Sequence, residues 1–177
     1  MPDHSYALNG KGIVSNISSL TKELREEMSP FHCLGCGCEM VARMGRINAH
    51  HFSHKQKGNC SYETYLHNMA KRLFYQTYKD SVQDKNPFIL HYESQFTCLH
   101  YQKDLGLSCS GKKYFNYDLT THFLDVGLEQ GIEKYVADVL LSSNEHNQHI
   151  LVEIMVSHPC SIEKIESGLR IIEIEIR

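Results

Sequence analysis

Five cysteine and histidine side chains between residues 33 and 60 have the spacing of a metal site. Cys33 and Cys36 form a Cys-x2-Cys-Gly sequence, in which Gly37 permits a tight turn that leaves backbone N–H groups facing sulfur. The chain has seven cysteines, and this odd number, in the absence of a secretion signal, argues against a disulfide framework. We therefore predict a structural Zn2+ held by four of five side chains, namely Cys33, Cys36, His51, His54 and Cys60.

The choice among these five ligands stays open at the level of sequence. Fourteen residues separate Cys36 from His51, which is enough for a short hairpin that returns a histidine to the metal. Alternation along a strand would place His51 and His54 on opposite faces, so both need not point at one ion.

Two carboxylates interrupt apolar runs that have the character of buried strands. Asp138 lies within residues 136–141, Glu153 lies within residues 150–156, and a turn-rich segment joins the two runs. A buried acid is costly unless it is paired or bound to a cation. The pattern indicates either a shared metal site or a pair of acids at strand ends that reach solvent.

A helix is predicted over residues 61–79, with Ser61 as its N-cap. Apolar residues recur at helical spacing and form a stripe that can pack on a core. Glu63, His67 and Lys71 form a separate polar ridge at positions i, i+4 and i+8. Taken alone, this ridge is more typical of a solvated helix face that carries a favourable pair.

The order of these motifs resembles the competence protein CoiA-like family, whose C-terminal part is similar to PD-(D/E)XK nucleases. The resemblance runs from about Tyr6 to the chain end, and the motifs follow in the same order throughout. The residues that carry it are Cys33, Cys36, His51, Phe52, His54, Cys60, Glu63, His67, Lys71, Asp138 and Glu153.

The resemblance implies a DNA-cleaving enzyme that depends on Mg2+ or Mn2+. Asp138 and Glu153 match the acids that hold the metal, and Glu63 matches an additional acid on the neighbouring helix. The superfamily places Lys two residues after the second acid, but this chain has Met155 there, and Val136 replaces the family's Arg. We therefore expect Lys71 to replace the missing lysine, and we expect Lys71 and His67 of the helical ridge to be catalytic residues together with the three acids.

A second interpretation from a different class stays open. In this interpretation, the fold is retained without catalysis as a module that binds nucleic acid or a protein partner, and the residues at positions 136 and 155 favour this alternative. A second copy of the chain is a further partner that the sequence permits. A nuclease with a His-metal finger at His50 and His51 fits less well, because the downstream Asn and His spacing does not follow.

Composition limits the partners and the location. The 177 residues carry a formal net charge of −3 and the sequence pI is about 6.4, which excludes a protein that binds nucleic acid by bulk positive charge. No apolar run approaches the roughly 18 residues of a membrane span, and the first ten residues lack the pattern of a signal peptide. We expect a cytoplasmic protein that binds DNA and has no membrane partner.

The elements that must position these residues indicate an α/β (α+β) fold. A hairpin over residues 5–17 turns at Asn9-Gly10, and residues 1–60 form a domain that contains this hairpin and a zinc-ribbon-like module. Residues 61–177 form a second domain, which the resemblance identifies as a PD-(D/E)XK-like mixed β-sheet flanked by helices. Its predicted strands are 88–93, 114–119, 121–126, 136–141, 149–156 and 171–176, and a short helix covers 162–168.

Overall fold

A computed structural model describes residues 4–56, 59–100, 102–145 and 147–176, so the outer ends of the two predicted domains, residues 1 and 177, lie outside it. The first part of the chain forms a five-stranded sheet with the strand order β2-β1-β3-β4-β5 and antiparallel neighbours. Its elements are β1 (Tyr6–Leu8), β2 (Val14–Asn16), α1 (Lys22–Met28), β3 (Phe31–His32), β4 (Glu39–Arg43) and β5 (His51–His54).

The predicted hairpin is present, and its turn is stabilised by Asn9. The side-chain oxygen of this buried asparagine accepts hydrogen bonds from the backbone N–H groups of Lys11 (2.9 Å) and Ile13 (3.0 Å). Such a local bond from a side chain to the backbone is the reason why Asn favours turns.

Helix α2 (Tyr62–Asp84) joins the two parts of the molecule. The hydroxyl of Ser61 accepts a hydrogen bond from the N–H of Thr64 (3.3 Å), so the predicted N-cap is confirmed, and Lys85 ends the helix in a left-handed conformation. Tyr65 is buried in the core of the first sheet, whereas Tyr78 is buried in the core of the second. At 1.5 Å per residue, the 23-residue helix is about 34 Å long and contacts both cores.

The second sheet has the strand order β11-β10-β9-β8. Strand β11 runs parallel to β10, and the other pairs are antiparallel. Alternate residues of β10 pack on different clusters, since Val152 contacts the cluster around Tyr78 and Leu151 contacts a cluster with Ala137. The elements are β8 (Asp125–Ile132), β9 (Tyr135–Ser143), β10 (Gln148–Met155), α4 (Ile162–Ile165) and β11 (Ile171–Glu175).

Between α2 and β8 the chain forms a separate two-stranded ribbon. Strands β6 (Ile89–Cys98) and β7 (Cys109–Asp118) pair over their full length, from Ile89 opposite Asp118 to Cys98 opposite Cys109. The short helix α3 (Gln102–Leu105) lies in the connection between them. At about 3.4 Å per residue, ten paired residues give a ribbon of roughly 30 Å.

The strand predicted over residues 121–126 is wrong. A 3-10 turn occupies Leu119–Thr121 and the next strand begins at Asp125. The carboxylate of Asp118 accepts hydrogen bonds from the N–H and the hydroxyl of Thr120 (3.0 and 2.7 Å), and this cap directs the chain into a turn. No helix in the described ranges is long and apolar enough to span a membrane.

Candidate metal centre and carboxylate fork

The segment between β3 and β4 is a tight turn around two cysteines. The N–H of Cys33 donates to the carbonyl of Cys38 (2.8 Å), and the N–H of Gly37 donates to the carbonyl of Cys33 (2.9 Å). Gly37 has a φ of +70°, which residues with a Cβ rarely adopt. The N–H of Gly35 faces the sulfur of Cys33 at 3.4 Å. The turn therefore has backbone N–H groups directed at sulfur, as zinc knuckles do.

Cysteine and histidine side chains from four segments meet beside this turn. One donor atom from each of His4, Cys33, His54 and Cys60 lies within 4.8 Å of the others. The sulfurs of Cys33 and Cys60 are 3.5 Å apart, and the sulfur of Cys36 is 3.3 Å from Nε2 of His54. Tetrahedral zinc with bonds of about 2.0–2.3 Å requires ligand–ligand distances of roughly 3.3–3.8 Å. The cluster has the donor set and the spacing to bind a metal such as zinc.

Hydrogen bonding within the cluster alters the acidity of its thiols. Burial raises the pKa of Cys36, but hydrogen bonds from the Cys38 backbone and from neighbouring side chains, including His54, outweigh it and lower the pKa to about 7. Burial, together with the bond to Cys33 and its charge, raises the pKa of Cys60 to about 12. Because only a thiolate ligates a metal, metal binding at neutral pH releases protons here.

The two histidines of β5 differ in position. Phe52 is buried in the core, and His54 shares its face of the strand and reaches the cluster, whereas the Nδ1 atom of His51 lies 2.9 Å from the carbonyl of Ala49. His51 is therefore not among the donor atoms that meet at this cluster.

His4 is the residue of the cluster that sequence reasoning missed. Its carbonyl accepts a hydrogen bond from the N–H of Phe52 (2.8 Å), and its ring lies edge-on to those of His54 and Tyr65, with centroids 5.2 and 4.4 Å apart. The contact depends on the pairing of residue 4 with β5, which no local spacing in the sequence encodes.

The second group of predicted residues lies where β9 and β10 separate. Regular pairing of the two strands ends at Val139 opposite Val152. Beyond that point, Oδ2 of Asp138 accepts a hydrogen bond from the N–H of Ile154 (2.9 Å), and Glu153 lies close enough to Asp138 for the Asp138 charge to raise its pKa. We call the pair Asp138 and Glu153 the carboxylate fork. The fork brings together the two acids that the sequence singled out.

The ridge of helix α2 faces the fork. Nε2 of His67 is 3.0 Å from Oδ2 of Asp138, and Nζ of Lys71 is 3.7 Å from Oδ1 of the same residue. Lys71 is 6% exposed, and its Nζ also lies 2.6 Å from the carboxylate of Glu129. Glu129 has a φ of +51°, which is unusual for a residue with a side chain. A chain of alternating charges thus runs from Glu129 through Lys71 to Asp138, with His67 at its end.

Glu153 has a different cationic partner, which the sequence analysis did not identify. Nζ of Lys164, on α4, donates to Oε1 of Glu153 and to the carbonyl of Val136, both at 2.8 Å. Burial raises the pKa of Glu153, and the hydrogen bond and charge of Lys164 oppose that shift only in part. The signal in the sequence is weak, since Lys164 lies in a short polar helix with no motif spacing to Glu153.

Glu63 lies near the fork without joining it. Its carboxylate accepts a hydrogen bond from the hydroxyl of Ser157, at the wall of a cleft of about 300 Å³ that His67 and Ile154 also line. Among the described residues, the group of three or more His, Cys, Asp or Glu donors that lie within 4.8 Å of one another is the Cys/His cluster. The three acids Glu63, Asp138 and Glu153 do not form a second such group. His158 lines the same cleft.

Fold and site together define a mixed α/β protein in which a long helix joins a Cys/His cluster to a sheet that carries two clustered carboxylates. Residues 16–63 match the family model of the competence protein CoiA, N-terminal domain. The matched segment contains all five predicted zinc ligands, from Cys33 to Cys60, and for this part of the chain it confirms the CoiA-like family resemblance that the sequence predicts. No curated protein and no solved structure matches the chain.

Proposed function

We propose that the carboxylate fork is the active site of a metal-dependent nuclease that cleaves phosphodiester bonds in DNA. The observation that carries the proposal is the position of Asp138 and Glu153 on neighbouring buried strands at the point where the regular pairing of these strands ends and the N–H of Ile154 donates to Asp138. Carboxylates among apolar strands are costly unless a cation compensates them, so their convergence supports a functional role.

The donor set suits a hard divalent cation. Asp138, Glu153 and the nearby Glu63 offer carboxylate oxygens, which Mg2+ and Mn2+ prefer. When bound, such an ion polarises a phosphate oxygen and lowers the pKa of a water molecule. We propose these three acids as its ligands; because their oxygens do not lie within 4.8 Å of one another in the structure, binding of the ion would have to bring them closer together.

Residues of helix α2 supply the remaining chemistry. His67 orients Asp138 through the 3.0 Å contact to Oδ2. Lys71 presents an ammonium beside the fork, and a substrate phosphate would replace Glu129 as its partner. Lys71 of helix α2 would take the role of the family's strand lysine, because position 155 of the strand is Met and has no charge. Lys164 is a positioning residue, since it holds the carboxylate of Glu153.

The Cys/His cluster is proposed as a structural Zn2+ site. The donor atoms of His4, Cys33, His54 and Cys60 lie within 4.8 Å of one another, and the sulfur of Cys36, 3.3 Å from Nε2 of His54, is a fifth donor nearby. A closed set of protein ligands is typical of structural rather than catalytic zinc.

A nuclease fold without catalysis that binds nucleic acid or a protein is the second candidate. The ion pair between Lys164 and Glu153 favours it, because this pair already neutralises one acid of the fork. Met155 favours it too, since it leaves the second strand without the family lysine.

The deciding experiment incubates the full chain with labelled single-stranded and double-stranded DNA in Mn2+ or Mg2+. Asp138→Asn and Glu153→Gln are expected to lower the cleavage rate by at least about 100-fold, as the loss of metal ligands or their partners commonly does. Lys71→Ala should abolish cleavage as well, with the thermal unfolding curve showing whether the variant is folded.

Matched controls are Asp84→Asn and Glu26→Gln, because both side chains are exposed acids away from the fork. These variants should cleave at the wild-type rate. Absence of metal-dependent cleavage in the wild type, or equal cleavage by the Asp138 and Glu153 variants, would refute the nuclease proposal. Binding of DNA without cleavage would favour the second candidate.

A further inference from the structure

The β6–β7 ribbon has two faces of different chemistry. Residues that alternate along the paired strands share a face, so Leu90, Tyr92, Ser94 and Phe96 lie beside Tyr117, Phe115, Lys113 and Gly111. We call this set the aromatic face. The opposite set is the polar face, and it consists of His91, Glu93, Gln95, Lys112, Tyr114 and Asn116.

Rings on the aromatic face form an ordered surface. Tyr92 and Phe115 stack with centroids 5.0 Å apart and an interplanar angle of 13°. The ring of Phe96 lies over Gly111, with a ring carbon 2.9 Å from the point that a Cβ would occupy. Tyr92 and Phe96 are 45% and 48% exposed, respectively. Packing in the core accounts for Leu90 at the base of the ribbon but not for these exposed rings.

Charge on the ribbon is distributed to suit an anion. Lys113 is the one charged residue of the aromatic face, and its Nζ lies 4.9 Å from the centroid of Phe115. The acidic Glu93 belongs to the polar face, where Lys112 pairs with it at 2.8 Å. A polyanion that approaches the aromatic face therefore contacts Lys113, and the residues of this face include no carboxylate that would repel it.

The aromatic face continues into a groove against the second sheet. Tyr92 and Tyr117 line this groove of about 880 Å³ together with Arg170, Ile172 and Glu173. The carboxylate of Glu173 accepts a hydrogen bond from the backbone N–H of Cys160. The aromatic rings of the ribbon and the cationic side chains of Lys113 and Arg170 are therefore distributed along one surface from the ribbon to β11.

We infer that the aromatic face and this groove bind single-stranded DNA, with bases stacked on Tyr92, Phe96 and Tyr117 and phosphates near Lys113 and Arg170. Aromatic platforms beside cations are the common means of holding single strands without sequence preference, since every base has a π face. The assignment of DNA as the ligand rests on the proposed nuclease function, whereas the location rests on the ribbon itself. It identifies the single strand as the form of substrate that the protein holds.

The test measures binding of a labelled oligothymidine to the zinc-loaded full chain in buffer without Mg2+ or Mn2+, where the proposed metal-dependent cleavage cannot occur. Tyr92→Leu and Lys113→Gln are expected to weaken binding, and the loss of the ring should cost at least about tenfold in Kd. Tyr114→Leu and Lys112→Gln are matched controls, because they remove the same side-chain types from the polar face. Tyr92→Phe should bind like the wild type, since it keeps the ring.

Each outcome separates this inference from the nuclease proposal. Asp138→Asn should bind the oligonucleotide normally even if it cannot cleave, so loss of cleavage and loss of binding are independent readouts. Equal weakening by the aromatic-face and polar-face variants would overturn the inference, as would stronger binding of a duplex of the same sequence. A dimer that depends on concentration and disappears in Tyr92→Leu would show that a second copy of the chain occupies the face, and would also overturn it.

Discussion

Replacement of Lys164 by Met tests whether Glu153 is an ionised carboxylate held at the fork. The two side chains are only 11% and 16% exposed, and their charged atoms are 2.8 Å apart. Breaking a buried pair from one side commonly costs about 3–5 kcal/mol, because it leaves a charge without its partner. The backbone of Asp138 still lowers the pKa of Glu153 and so favours its ionised form, and we therefore expect a loss of about 2–3 kcal/mol in the free energy of unfolding at pH 7.5.

The loss should depend on pH in a defined direction. Burial already raises the pKa of Glu153, and removal of Lys164 removes an interaction that lowers it. The folded variant therefore binds a proton more readily than the unfolded chain, and its unfolding free energy falls as the pH rises between the unfolded and the folded pKa. At pH 5, where more of Glu153 is protonated, the difference between Lys164→Met and the wild type should be smaller than at pH 7.5.

Urea unfolding of the zinc-loaded proteins, in buffer without Mg2+ or Mn2+, measures these values for the wild type, Lys164→Met, Glu153→Gln and the double variant. The double variant should be more stable than Lys164→Met, because it no longer carries an unpaired carboxylate, and the cycle should give a coupling energy of at least about 1 kcal/mol. Lys134→Met is the matched control, since Lys134 forms an exposed pair with Glu163 and its loss should matter little. The reasoning would be contradicted if Lys164→Met lost the same free energy of unfolding at both pH values. It would also be contradicted if the losses of the two single variants simply added up in the double variant.

Two further predictions concern the metal cluster and the second core. A strong chelator should remove one zinc per chain and lower Tm. Cys60→Ala should lower the zinc content of the purified protein, whereas His51→Ala should leave it unchanged. Equal zinc content in the two variants would contradict the proposed ligand set. Tyr78→Phe should lower the free energy of unfolding by about 1–2 kcal/mol, because the buried hydroxyl donates to the carbonyl of Phe123 at 2.8 Å, whereas Tyr114→Phe on the exposed ribbon should have no effect on urea unfolding.

Local patterns in the sequence were sufficient for the elements that depend on neighbours in the chain. Ser61 and the apolar stripe predict the start and the packing of helix α2, and both are present. Asn9-Gly10 predicts the first hairpin for the same reason, since the turn is stabilised by bonds within a few residues. Asp138 and Glu153 could be singled out because a single acid in an apolar run is conspicuous.

Contacts between distant segments account for what the sequence did not reveal. His4 reaches the cluster through its pairing with β5, and Lys164 reaches Glu153 because α4 packs beside β9. Glu129 reaches Lys71 from a strand position with a positive φ, which the sequence around it does not require. In each case, the residue has an ordinary local environment, and its partner is set by the tertiary fold.

The start of helix α2 connects the cluster to the fork. Cys60 directly precedes the N-cap Ser61, so a ligand held at the cluster fixes the first turn of the helix. The hydroxyl of Tyr65 donates to the carbonyl of Tyr6 and accepts from its N–H, both at 3.0 Å, which prevents this part of the helix from rotating. His67 lies about half a turn further along and contacts Asp138. A metal at the cluster would therefore set the rotation of the helix that presents His67 and Lys71 to the fork, which would give the proposed structural site a direct effect on the proposed catalytic one.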